Sequence, residues 1–152
     1  MSLILALFAY DPSTNPLNNS EWAFPIVEIF HIAAFALAIG TIAIVDFSVL
    51  IAPQKYSAPK LLKEVAPWTL AGLVVVLISG PIIVTTDPVM YYYNPGFRFK
   101  MAALALALIY NYTIHNRVLR SSPSGGIGKV VATVSLALWI SVVFGGIFIA
   151  FT

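Results

Sequence analysis

Cysteine is absent, and with it disulfides, thiolate metal sites, iron–sulfur clusters and a cysteine nucleophile. Charge is nearly absent too. Only 9% of the 152 residues are Asp, Glu, Lys or Arg, against about 25% in a soluble domain. So few charges cannot clothe a globular surface of this size. The 60% hydrophobic content leaves apolar surface that must face something other than water. The net charge of +2 comes from a few basic residues in short loops, so the balance does not point to nucleic acid. No glycine-rich phosphate loop is present, since Ser124-Gly125-Gly126 lacks the motif context. The opening MSLILALFAY has neither a basic leader nor a small-residue cleavage site, and it is too short to span a bilayer. It is expected to lie at the outer interface or to pack on the helices.

What is present is four long apolar runs, at about residues 22–51, 66–86, 97–115 and 128–151. Pro25 suits a helix start, and Pro53 ends the first run. Pro67 and Trp68 open the second, Pro81 should kink it and Asp87-Pro88 ends it. Tyr91, Tyr92 and Tyr93 favour the headgroup level of a bilayer. The expected fold is all-α: a single transmembrane domain over 1–152, folded as an integral membrane four-helix bundle that runs up-down-up-down through short loops. Lys55, Lys60, Lys63, Arg117, Arg120 and Lys129 flank the loops after the first and third runs, with only Arg98 and Lys100 on the other side. This bias marks the first set as cytoplasmic, which places both termini in the periplasm of a bacterial inner membrane. Gly72, Ser79 and Gly80, then Gly145 and Gly146, then the alanines at 102, 103, 105 and 107 let helix backbones approach closely.

Function is expected where ionisable groups enter the apolar runs, because placing them there is costly. These are Glu28, His31 and Asp46 on the first run, and Arg98, Lys100 and His115 on the third. Glu28 and His31 share one helical face. Glu28 and Asp46 are five whole turns apart, about 27 Å along the axis, and point the same way. Two levels follow. At the outer one, Glu28 pairs with Lys100 or Arg98, beside His31. At the inner one, Asp46 lies near His115. The bland alternative is that the long basic side chains reach to the headgroups and that His115 sits in the inner interface. Two histidines also raise haem b as a possible cofactor, with His31 and His115 as axial ligands, or His31 with Met101. A depth mismatch of about 12 Å along parallel helices weighs against one iron shared by both imidazoles. Asn111, Tyr112 and Trp139 read as packing elements, and Glu64 stands alone.

At Asp46, at Ala66-Pro67-Trp68-Thr69-Leu70-Ala71-Gly72, at Ser79-Gly80 and at Asn94-Pro95-Gly96-Phe97-Arg98-Phe99-Lys100, the chain resembles an uncharacterised family of small bacterial four-span inner-membrane proteins. The likeness covers about residues 25 to 120. It implies fold and location only, and gives weight to His31, Asp46, Trp68, Gly72, Phe97 and Lys100. Family members often carry an arginine two residues after the aspartate. Here that position is Ser48, which leaves Asp46 one fewer partner.

Three functions fit these residues. The first is a non-catalytic accessory subunit of a larger membrane redox or bioenergetic complex, because no catalytic set is legible. Its partners would be the lipid bilayer and either other membrane subunits or further copies of the chain. The second is a b-type haem protein exchanging electrons with quinone. The third is a small proton-coupled carrier that uses Glu28, His31 and Asp46 as a relay.

Overall fold

The computed structural model describes residues 10–121 and 126–152, and every regular element among them is helical. Helix α1 is Ala23–Ile51, α2 Ala58–Val84, α3 Pro88–Tyr93, α4 Pro95–Tyr110, α5 Asn116–Arg120 and α6 Gly126–Phe148. A five-residue π turn, Asn111–His115, joins α4 to α5. Short 3₁₀ turns occupy Pro12–Thr14 and Ile149–Phe151. Among the described residues, three stretches are long and apolar enough to cross a membrane: Ala23–Ile51, Ala58–Val84 and Gly126–Phe151. The expectation for the opening apolar segment falls almost wholly outside the described residues, as does the centre of the Gly/Ser loop at 122–125.

Prolines and caps decide where the helices begin. Asp87 accepts the Met90 N–H at 2.9 Å ahead of Pro88, and Asn94 accepts the Phe97 N–H at 2.8 Å ahead of Pro95. In each case a side-chain oxygen satisfies an orphan donor, and a proline takes a first-turn position where no N–H is needed. The three tyrosines are therefore helical, in α3, with Tyr91 tilted against Phe97 and Tyr92 and Tyr93 exposed. The polar segment 10–20 folds over the end of α2. Asn15 and Asn18 donate to the Thr85 and Thr86 carbonyls, each at 2.8 Å. These are among the last carbonyls of a helix end, which have no partner within the helix.

Two boundaries differ from those expected. The second run was expected to open at Pro67, but α2 begins at Ala58 and Pro67 lies inside it. A proline removes one backbone bond, and burial outweighs that loss. Leu62 is buried in a cluster with Val45, Val49, Leu119 and Ala132, while Lys60, Lys63 and Glu64 face outward. The third run is not one uninterrupted α-helix over 97–115. It is α4, then the π turn, then α5 out to Arg120.

Helix α1 packs on α2 and on α6, α4 packs on α6, and α5 closes against α2. The main core is Ala38, Ile42, Leu73, Ala103, Leu104, Ala107, Trp139 and Val142. Outward faces carry Phe30, Phe47, Ile78, Leu106, Ile109 and Phe144, all at least half exposed. Small residues set the closest approaches. A Cβ on Gly72 would stand 2.7 Å from the Ala34 carbonyl oxygen and 3.0 Å from the Ala38 nitrogen. One on Gly145 would stand 2.9 Å from the Lys100 Cα.

Asn94 ties the start of α4 to the end of the chain. Besides its cap, its Nδ2 donates to the Ile149 carbonyl at 3.0 Å and its Oδ1 accepts the Thr152 hydroxyl at 3.1 Å. A lost cap costs about 1 kcal/mol and each further bond about the same. Asn94→Ala should therefore lower the stability measured by thermal melting in detergent by about 3 kcal/mol. Asn94→Asp, which keeps the cap and loses the donor, should lower it by less.

Candidate functional site

The π turn decides which side chains of the third column face inward. An α turn takes 3.6 residues and a π turn takes more, so a four-residue step stays closer to one line. Ala107, Asn111, His115 and Leu119, each four apart, are all buried. The turn thus carries Asn111 and His115 to the face that meets α1.

On α1, the buried residues Ala38, Thr41, Ile42, Val45, Asp46 and Val49 form one stripe at helical spacing. Asp46 and His115 meet across this contact. His115 Nε2 lies 2.6 Å from Asp46 Oδ1, and both residues are fully buried. The other ring nitrogen, Nδ1, lies 3.2 Å from Asn116 Oδ1. An oxygen therefore stands at each ring nitrogen. This is the inner-level pairing expected from the sequence, and it is the one ion pair among the described residues.

The pair is incompletely satisfied. Asp46 Oδ2, Asn111 Oδ1 and Ser135 Oγ are buried and have no hydrogen-bond partner among the described residues. They come from α1, the π turn and α6. Ser48 offers Asp46 nothing, because its hydroxyl donates back to the Val45 carbonyl at 2.7 Å. Tyr110 stands within electrostatic reach of Asp46 and donates to the Val131 carbonyl at 3.1 Å. Beside the pair lies a cavity of about 350 Å³ between α1, α2, the π turn and α5. Ile42, Val45, Leu62 and Val65 form its apolar wall, Asn111 and His115 contribute polar edges, and Arg117 and Arg120 line it as exposed cations.

The outer level is arranged otherwise. Glu28 is exposed and forms no ion pair with Lys100 or Arg98. Lys100 instead places its Nζ 5.3 Å from the centre of the Phe35 ring. Phe35 lies seven residues beyond Glu28, about 10 Å deeper along α1. The backbone of Lys100 sits against Gly145, which fixes that depth. Glu28 lies nearer Tyr91 on α3. Burial first, and then the Glu28 carboxylate, push the Tyr91 phenol up from its ordinary value. His31 is bonded across to α2, with Nδ1 2.7 Å from Ser79 Oγ. The Ser79 hydroxyl spends its one proton on the Val75 carbonyl at 2.6 Å. His31 is therefore the donor in that bond, from Nδ1.

The proposed haem ligands are not brought together. His115 bonds to Asp46, which lies fifteen residues, about 22 Å, along α1 from His31. Met101 is 46% exposed. A single iron cannot join the two imidazoles across that distance, and the His115 Nε2 is already engaged. Among the described residues, no three His, Asp or Glu side chains converge as a metal site.

Asn111, Asn116, Ser135, Arg117 and Arg120 belong to the site, although sequence reasoning passed over them or gave them other roles. Asn111 had a usable signal, since it stands one helical step from His115. Trp139 is core, as expected, and Trp68 is 61% exposed.

No curated protein and no solved structure matches the chain. A family model matches residues 24–152, a range that contains the Asp46–His115 pair and every residue lining the cavity. The chain belongs to the family of unknown function DUF6644.

Proposed function

We propose that the chain is a small proton-linked carrier of a bacterial inner membrane, with the Asp46–His115 pair as its proton-binding site. In this reading it is a four-helix bundle running up-down-up-down with both ends periplasmic. The column formed by α4, the π turn and α5 covers about 39 Å, enough for a fourth crossing. Six of the eight basic residues lie on the side of the α1–α2 loop and the α5–α6 loop, which makes that side cytoplasmic.

The observation that carries the proton reading is Asp46, wholly buried, bonded through one carboxylate oxygen and orphaned at the other. A buried ion pair with an unsatisfied oxygen is poor support for a fold, and an apolar pair of similar volume stabilises at least as well. Ionisable groups kept at such a place mark proton and ion pathways. Protonation of Oδ2 removes the carboxylate charge, and His115, which lines the adjoining cavity, links the pair to the basic side.

Reconstitution tests this. Vesicles holding the protein and a pH-sensitive dye are given a potassium diffusion potential, and proton influx is read. Asp46→Asn keeps the side-chain volume and a polar group toward His115 but cannot ionise. Its flux should fall by about a hundredfold, the scale of a lost proton-transfer group. Equal flux in the wild type and Asp46→Asn would end the proposal.

One observation favours an accessory-subunit role instead. The outer half of α1, residues 23–37, contributes no buried residue, although Ile26, Ile29, Phe30 and Ile32 are apolar and Glu28 forms no ion pair among the described residues. A partner helix would cover that face. Native purification that brings a stoichiometric second chain would favour this reading.

A further inference from the structure

We infer that the cavity beside α5 holds an acyl chain of an anionic phospholipid whose phosphate is bound by Arg117 and Arg120. The inference rests on the membrane placement proposed above and is independent of the proton reading.

Three features converge. The first is charge. Arg117 and Arg120 are three apart on α5, line the same cavity and form no ion pair among the described residues. Neighbouring guanidinium forks present donors in the geometry that phosphate oxygens accept, and they call for an anion between them. The second is the wall. Ile42, Val45, Leu62, Val65 and Leu70 are aliphatic, so a free phosphate would leave the greater part of the lining uncovered. An acyl chain covers it, and about 350 Å³ lies within the range of ligand sites. The third is position. The cavity lies at the basic end of the helices, where anionic lipids carry their headgroups and where basic pockets between helices bind them.

The test uses the full chain, stripped of lipid in a neutral detergent. Phosphatidylglycerol, phosphatidylcholine and inorganic phosphate are added separately, with binding read by native mass spectrometry and thermal melting. Phosphatidylglycerol should remain bound as one molecule and raise the melting temperature, with phosphatidylcholine and inorganic phosphate doing neither. Arg117→Gln with Arg120→Gln should weaken phosphatidylglycerol binding at least about tenfold, the scale of one lost charge-assisted bond. Val65→Trp, which fills the cavity and leaves both arginines, should weaken it as well. Asp46→Asn should bind as the wild type does. Equal retention of the two lipids, unchanged binding in the double arginine variant, or inorganic phosphate reproducing the whole effect would each overturn the assignment. The last of these would name a free anion as the ligand.

Discussion

Asp46→Leu, made with His115 left in place, should destabilise the folded protein by about 3–5 kcal/mol, the range for removing one member of a buried charged pair. The reason is local. His115 is fully buried, its Nε2 is 2.6 Å from Asp46 Oδ1, and among the described residues no other carboxylate lies within ion-pairing distance of it. With leucine at 46, the imidazole keeps its proton without a counter-charge or loses it and leaves a ring nitrogen unsatisfied. Both outcomes carry the desolvation penalty of a buried polar group without compensation. His115→Leu should cost a similar amount, because the Asp46 carboxylate is then orphaned at both oxygens. Replacing both residues removes the cause, and the double variant Asp46→Leu/His115→Leu should regain most of the loss. Unfolding by denaturing detergent, carried through this cycle, reads the coupling between the two sites. Two single variants each within about 1 kcal/mol of wild type would show that the pair is no more coupled than surface charges are. The double variant also separates fold from function. It should melt close to wild type and, if the proposed proton role holds, show flux as low as that of Asp46→Asn.

Scarcity made the inner pair legible. In a chain with 9% charged residues, few ionisable groups enter the apolar runs, and direction and depth along two parallel helices leave few pairings. Asp46 near His115 is one of them, and the structure contains it. Glu28 with Lys100 came from the same reasoning and is not formed. The difference is axial register. How far one helix slides along its neighbour depends on close contacts, here Gly145 on the Lys100 backbone and Gly96 on the chain near Phe148. Residue spacing within one helix carries no record of those contacts. The helical extension before Pro67 was hidden because a proline reads as a boundary, whereas the buried stripe of Leu62, Thr69, Leu73 and Val76 continues through it. The π turn had a faint trace in Thr113 and Ile114, adjacent β-branched residues with low helix propensity, but nothing that fixes an extra residue in a turn. The cavity exists only once three helices and a turn are in place, so the shared roles of Arg117 and Arg120 could not be read from loop charges.

The second large effect is expected at Gly72, where α1 and α2 come closest. A methyl group alone would stand 2.7 Å from the Ala34 carbonyl oxygen, 3.0 Å from the Ala38 nitrogen and 3.1 Å from the Ala38 Cβ. Two of these atoms are backbone, so no side chain can swing away and the helices must separate. Separation loses contact along the whole crossing. It would pull Thr69 from Thr41, whose hydroxyls are 2.8 Å apart, and loosen Ala38, Ile42 and Leu73 in the core. In lipid this close packing is the main attraction between helices, since hydrocarbon competes fully for apolar side chains. Gly72→Leu should therefore exceed the usual 1–3 kcal/mol of overpacking, and Gly72→Ala should fall within about that range. Gly40 is the control, because a Cβ there meets nothing within 4 Å among the described residues. Gly40→Ala should leave the melt unchanged or raise it by about 0.5–1 kcal/mol through the lower backbone entropy of alanine. A Gly72→Leu protein that melts with the wild type would mean that α1 and α2 do not cross at this glycine. The placement of Asp46 opposite His115, which depends on the same α1 packing, would fall with it.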